Sequence, residues 1–203
     1  MSYDAVFYRK KALTVTASQQ ELGKVRQKEK RRNQEEHIKM FREMRRKKQE
    51  LAQEECVKIL NKGTSGVLAV SGDEDYPYAV PLSYVYHDLK IYFHCAKEGH
   101  KLDAIERNEK VSFCVIDQDR VIPEEYTTYF RSVIAFGKAR KIEDEEEKRK
   151  TLEILAVKYS PDQEGLSKEI DGQLKRVTMV ELSIEHMTGK EAIELVREHA
   201  REK

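Results

Sequence analysis

Tryptophan is absent from the 203 residues, and the three cysteines, Cys56, Cys95 and Cys114, stand far apart with no C-x-x-C anywhere. An odd, scattered set excludes a disulfide frame and a zinc ribbon and leaves buried, reduced thiols as the expectation. No apolar run approaches the ~20 residues needed to cross a bilayer as a helix. Residues 1–11 lack the apolar stretch of a secretory signal, so a cytoplasmic protein without membrane contact is expected. Charge of one sign is lacking too. With 38 Lys and Arg against 37 Asp and Glu, the chain has no global attraction for nucleic acid or anionic lipid. Walker loop, G-x-G-x-x-G and a Ser-His-Asp signature are all missing.

What the chain does have is charge of both signs, 37% of residues against 39% apolar, so a solvated segment must dilute the core. That segment is N-terminal. Residues 19–60 contain no proline and are rich in Lys, Arg, Glu and Gln, which predicts helix throughout. From 26 to 37 no large apolar side chain appears. Ile38, Phe41, Met44 and Leu51 then restore a face able to pack. The boundary is set accordingly: 1–43 as a charged, helical or partly disordered extension, 44–203 as the folded domain. Residues 24–48 carry twelve Lys or Arg against four Glu but a single aromatic, Phe41. Stacking recognition is therefore poorly provided for, and a solubilising helical face is the better reading than nucleic acid.

After Asn61-Lys62-Gly63, which ends the helix, the texture turns to strands. Strands are predicted at 66–70, 76–87, 90–95, 110–117, 129–142 and 177–186, with turn residues at 71–75 and helices at 98–108 and 143–159. Thr188, with Glu191 three residues on, reads as a capping box opening a C-terminal helix. Six strands following one another with few helices argue for an antiparallel sheet closed on itself.

Two places in this pattern could carry chemistry. The strand 76–87 holds Pro77 and Pro81, which cannot donate to a ladder, so it is an edge or is bulged, and the main chain of Val80 to Tyr84 is open to a planar heterocycle. An ordinary protected edge explains the prolines equally. The second place is Gly99-His100-Lys101 at a helix start, where unpaired N–H groups, the dipole and the lysine charge suit a phosphate. Arg131 and Ser132 could complete that seat, although neighbours in a strand face opposite ways. The same alternation sends His94 and Cys95 to opposite faces, so His94, Cys95 and His100 make no metal site and none is expected.

Taken in order, Met44-Arg45-Arg46, Tyr78-Ala79-Val80-Pro81-Leu82-Ser83-Tyr84-Val85-Tyr86, Tyr92-Phe93-His94-Cys95-Ala96, Gly99-His100-Lys101-Leu102-Asp103 and Arg131-Ser132-Val133-Ile134-Ala135-Phe136-Gly137 resemble the pyridoxamine 5′-phosphate oxidase-like superfamily, nearest its nitroimidazole-resistance branch. The resemblance spans about 44–190. It implies a mainly β, α+β fold: a six-stranded antiparallel Greek-key split β-barrel with flanking helices and an N-terminal helical extension. It further implies a homodimer holding FMN in clefts between subunits. By that analogy Pro81, Leu82, Ser83 and Tyr84 lie along the flavin ring, Lys101, Arg131 and Ser132 hold the phosphate, and His94 sits beside the cofactor as the candidate proton donor. The Met187-Thr188-Gly189-Lys190 turn resembles the family's end of barrel. The true oxidases finish with an Arg-Leu-x-Pro motif near a tryptophan; this chain has neither, which argues against vitamin B6 oxidation. Two functions follow from the resemblance. One is an FMN-dependent oxidoreductase acting on a small molecule, nitro compounds among the candidates, with NAD(P)H as a candidate donor. The other is a flavin or haem carrier or sensor without turnover.

Overall fold

The computed structural model describes residues 41–161 and 164–201. The chain divides into two units, Met1–Glu43 and Met44–Lys203. Most of the helix predicted for the extension lies outside the described residues. Its C-terminal part is described, and there the prediction needs correction. After a single turn at Lys47–Gln49, the two-residue strand β1 (Glu50–Leu51) intervenes before helix α1 (Gln53–Lys62) begins. The reason is tertiary. Glu50 and Leu51 pair with Lys190 and Gly189, Leu51 is buried, and the Gln49 side-chain amide donates to the Glu191 carbonyl at 2.8 Å. Helix propensity, worth only tenths of a kcal/mol per residue, gives way to burial and pairing.

The second unit is built on one antiparallel sheet. Its remaining strands are β2 (Ser65–Ser71), β3 (Pro77–Ser83), β4 (Val85–His87), β5 (Lys90–Cys95), β6 (Lys110–Ile122), β7 (Thr127–Lys141) and β8 (Thr178–Glu191), in the order β3-β2-β6-β7-β8-β5-β4, with β1 beside β8. Helices α2 (His100–Arg107), α3 (Glu145–Tyr159), α4 (Leu166–Leu174) and α5 (Ile193–Arg201) flank it. This is the split barrel expected. It has eight strands instead of six because the predicted strand 76–87 breaks at Tyr84 and because β1 was read as helix.

Connectivity alone shows that the sheet curls. Its two edge strands, β3 and β4, are joined through the single residue Tyr84. Laid flat, seven strands would hold their edges ~29 Å apart, whereas two peptide units reach only ~7 Å. The edges are therefore brought together at Tyr84, yet β3 and β4 do not pair, and the barrel stays split there. Alternate side chains of the strands, with Leu68, Phe93, Phe113, Val133 and Leu182 fully buried, fill the interior together with Leu60 of α1.

Strand β8 also runs further than predicted. Thr188, expected to cap a helix, lies opposite Ile134 within the ladder, and the segment 187–190 is strand instead of turn. A Cβ on Gly189 would stand 2.5 Å from the Cys56 sulfur and 2.9 Å from the Leu51 Cβ, so glycine there lets α1 and β1 close onto the strand. The other end of β8 carries Glu181, buried beneath Lys90 at 2.8 Å and Arg140 at 3.1 Å. Burial pushes this carboxyl up, but hydrogen bonds from Lys90, Ser183 and Arg140 outweigh it and hold the pKa below its usual value. A depressed carboxylate stabilises the fold above its unfolded pKa and loses that contribution as pH falls through the folded one. Because Lys90 and Arg140 are open to solvent, Glu181→Gln is expected to cost about 1–2 kcal/mol at neutral pH. Its gap to the parent protein should narrow below pH ~4, as the parent loses what the variant never had. Urea denaturation at the two pH values checks both.

Candidate functional site

Strand β3 is an edge, and its register with β2 decides which main-chain groups are open. The Gly72 amide donates to the Tyr76 carbonyl, so Gly72–Tyr76 is a hydrogen-bonded pair. Alternation from there puts Tyr78, Val80 and Leu82 in bonded pairs with Val70, Leu68 and Gly66. Pro77, Ala79, Pro81 and Ser83 fall in between, with their main chain turned away from β2. Both prolines thus occupy positions where no ladder bond is lost, and the outward edge offers the N–H groups of Ala79 and Ser83 and the carbonyl of Pro81. Side chains divide the same way: Tyr78, Val80 and Leu82 pack on the core, while Pro81 and Ser83 are exposed and Leu82 is half-buried.

Tyr84 belongs to the interior. Its ring is fully buried, its hydroxyl donates to the Leu60 carbonyl at 2.8 Å, and its amide and carbonyl both meet the Tyr159 hydroxyl at 2.9 Å. The open stretch of main chain accordingly ends at Ser83.

Beyond Tyr84, Val85 pairs with Tyr92. Carried two residues back, that register sets Ser83 level with His94, and β3 and β5 are in contact across the split without pairing. His94 faces outward at this seam. Although the residue is exposed, partial burial of its ring, and then the neighbouring Lys101 ammonium, push its pKa below the usual value. Both effects favour the neutral imidazole. Helix α2 starts at the same place. Its N-cap is Gly99 at φ 134°, a conformation that suits glycine; no side chain caps the helix, and no atom lies within 4 Å of where a Gly99 Cβ would sit. The His100 ring stacks on Tyr78 at 4.2 Å and fixes the helix start against β3. Uncapped N–H groups, open space and Lys101 fit a phosphate.

Arg131 and Ser132 are elsewhere. His94 partners Met179 on β8, whereas Arg131 partners Glu191 on the same strand, twelve residues further along and about 40 Å of strand away. Arg131 is half-buried among three carboxylates, Glu55 at 3.1 Å, Asp117 at 3.7 Å and Glu191 at 3.5 Å. It is one cause, after Lys58, of the lowered pKa of Glu55. Its Nε and Glu191 Oε2 make no well-directed hydrogen bond. Its charge is already taken up, so within one subunit it does not reach the phosphate seat. Ser132 lies on the outer face of the sheet, next to Val133, which points inward.

A family model described as pyridoxamine 5′-phosphate oxidase matches residues 52–191, the span holding every element of this seam. The chain belongs to that family. Solved structures agree with the family's fold. A candidate 5-nitroimidazole antibiotic resistance protein from Bacteroides thetaiotaomicron is 26% identical, with 70% of this chain and 85% of that one covered at a TM-score of 0.61. An FAD-binding protein from Mesorhizobium loti is 23% identical over 70% of this chain and 96% of that one, with a TM-score of 0.52. An FAD and haem binding protein from Mycobacterium smegmatis is 20% identical over 71% and 73%, with a TM-score of 0.60. No curated protein matches the chain. No helix among the described residues of this family member is long and apolar enough to cross a membrane.

Sequence reasoning missed two residues of the seam. His100 was weighed as a ligand, and nothing in the sequence signals its stacking on Tyr78. Tyr159 carried no signal, being 75 residues from the group it binds. The proximity of Lys101 to His94 is testable without any ligand. In Lys101→Met the His94 pKa should rise yet stay below its usual value, since burial, the larger cause, remains. An NMR titration of the imidazole that is unmoved by the substitution would contradict the arrangement.

Proposed function

We propose that the chain binds FMN at this seam and works, as a homodimer in the cytoplasm, as a flavin-dependent oxidoreductase of a small molecule. The observation that carries the reading is the convergence on one seam of an outward-facing strand edge, an outward-facing histidine and an uncapped helix start with its lysine. A bound flavin supplies hydride and electron transfer. The chain's part is to hold and aim it: Ala79 and Ser83 offer N–H donors and Pro81 an acceptor to the ring edge, and Lys101 with the start of α2 takes the terminal phosphate. His94 can give or take a proton beside them. FMN is preferred to FAD because this seat suits a terminal monophosphate. The neighbours' descriptions support flavin in general, and that of the Bacteroides protein adds nitro compounds as candidate substrates. Three free cysteines suit a reducing compartment.

Dimerisation is supported by the outer face of the sheet. There Val67, Cys114 and Ile134 form one cross-strand row, and Ile116 and Ile134 are 64% and 39% exposed. An apolar row on the solvent side of a sheet is suited to a second copy. Ser132, on this same face, can join a phosphate seat only from that copy, and Arg131 only by giving up its carboxylates.

Lys101→Ala should weaken FMN binding roughly ten- to a hundredfold, the worth of a charge-assisted bond. Fluorescence titration with unchanged affinity would reject that seat. Ile134→Glu should yield monomers that release flavin, and a monomer that keeps its flavin on a sizing column would place the site within one subunit. Anaerobic mixing with NADH or NADPH separates turnover from carriage: an oxidoreductase bleaches its flavin and recovers it through repeated reoxidation.

A further inference from the structure

Tyr159 is the last residue of α3, and the seam chemistry just described makes no use of it. By the register of β2 with β3, Gly66 and Leu82 are a bonded pair and Ser65 and Ser83 are not, so the next bonded pair would be Thr64 with Tyr84. The Tyr159 hydroxyl stands between them. Its oxygen accepts the Tyr84 N–H at 2.9 Å, the proton that a direct ladder would have given to Thr64. Its own single proton goes to the Thr64 carbonyl, which it closely approaches, or to the Tyr84 carbonyl at 2.9 Å. A side-chain hydroxyl thus takes the place of one rung. It ends the β2–β3 ladder at Ser83 and satisfies the peptide that turns from one edge of the barrel to the other.

We propose that Tyr159 is a positioning residue for the cofactor strand. By holding Tyr84 one hydroxyl away from Thr64, it sets the direction in which β3 leaves β2, and so aims the outward main chain of Pro81 and Ser83 across the split. This rests on the flavin reading above. With the hydroxyl gone, Tyr84 N–H and the Thr64 carbonyl can meet only by closing the ~3 Å that the oxygen occupies, which draws the end of β3 inward. The ring itself is 39% exposed, so the hydroxyl, more than packing, is what Tyr159 contributes. The adjacent Lys158 provides the comparison. It donates to the Gly63 carbonyl at 2.5 Å and lies 4.3 Å over the Tyr84 ring, bracing the same corner without touching the Tyr84 peptide.

The experiment compares full-length Tyr159→Phe and Lys158→Met with the parent protein by thermal melting, FMN titration and the visible circular dichroism of bound flavin. Tyr159→Phe is expected to weaken FMN about tenfold and to alter the dichroism of what remains bound. Lys158→Met is expected to lower the melting temperature while leaving affinity and dichroism as they were. Parent-like affinity and dichroism in Tyr159→Phe overturn the proposal, as does a loss of affinity that merely tracks loss of stability in both variants. A parent protein that takes up no flavin overturns the functional reading itself, and this proposal with it. If Tyr159→Phe does not fold, fluorotyrosine at position 159 decides. It keeps ring and hydroxyl but changes the hydroxyl's donor strength, and an FMN affinity indifferent to fluorination overturns the proposal.

Discussion

A seven-strand path that must return to its own beginning through one residue leaves little freedom at that residue, and Tyr84 is where the constraint falls. Its ring is locked in the core by a hydrogen bond to the end of α1, and its peptide is held by the end of α3. Edge strands are a liability because their unpaired groups invite other chains. Here the liability is confined to alternate residues of β3, on the side away from β2, and two of those four positions are proline. What remains open is a short row of two donors and several acceptors, bounded on one side by His94.

The distribution of charge follows from the same geometry. At the far end of β8, Arg131 sits among Glu55, Asp117 and Glu191, and Lys62 adds a second cation to Asp117 at 2.9 Å. Near the start of β8, Glu181 gathers Lys90 and Arg140. Both are closed accounts, in which each charge has an opposite neighbour. Among the described residues Lys101 makes no ion pair. It stands instead at an uncapped helix start and depresses the pKa of a histidine. A cation left beside free N–H groups and open space is chemically unlike an arginine ringed by carboxylates, and an anion would be drawn to the lysine.

Much of this was legible in the chain. Proline at 77 and 81 marked a strand that is an edge or bulged, and their separation by four residues, an even number, puts both on the same side of it. Gly99-His100-Lys101 marked a helix start fit for an anion, and the run of hairpin-linked strands marked an antiparallel barrel. What was not legible depended on contacts between distant segments. Glu50 and Leu51 carry no strand signal of their own and pair only because β8 extends to meet them. Thr188 and Glu191 match a capping box in sequence, but Gly189 lets α1 and β1 close over that stretch and keep it in the ladder. The carboxylates around Arg131 come from three separate elements, and adjacency to Ser132 in sequence suggested a partnership that alternation along the strand prevents. Tyr159, followed by Ser160-Pro161, read only as the end of a helix.

Flavin bound at the split would lie against the outward main chain of β3. Residue-resolved amide hydrogen exchange, with and without FMN, reads out that contact. FMN should slow exchange at Ala79 and Ser83, whose N–H groups point away from β2, and leave Val80 and Leu82, already bonded within the ladder, nearly unchanged. Protection that bypasses Ala79 and Ser83 while FMN is demonstrably bound would contradict it.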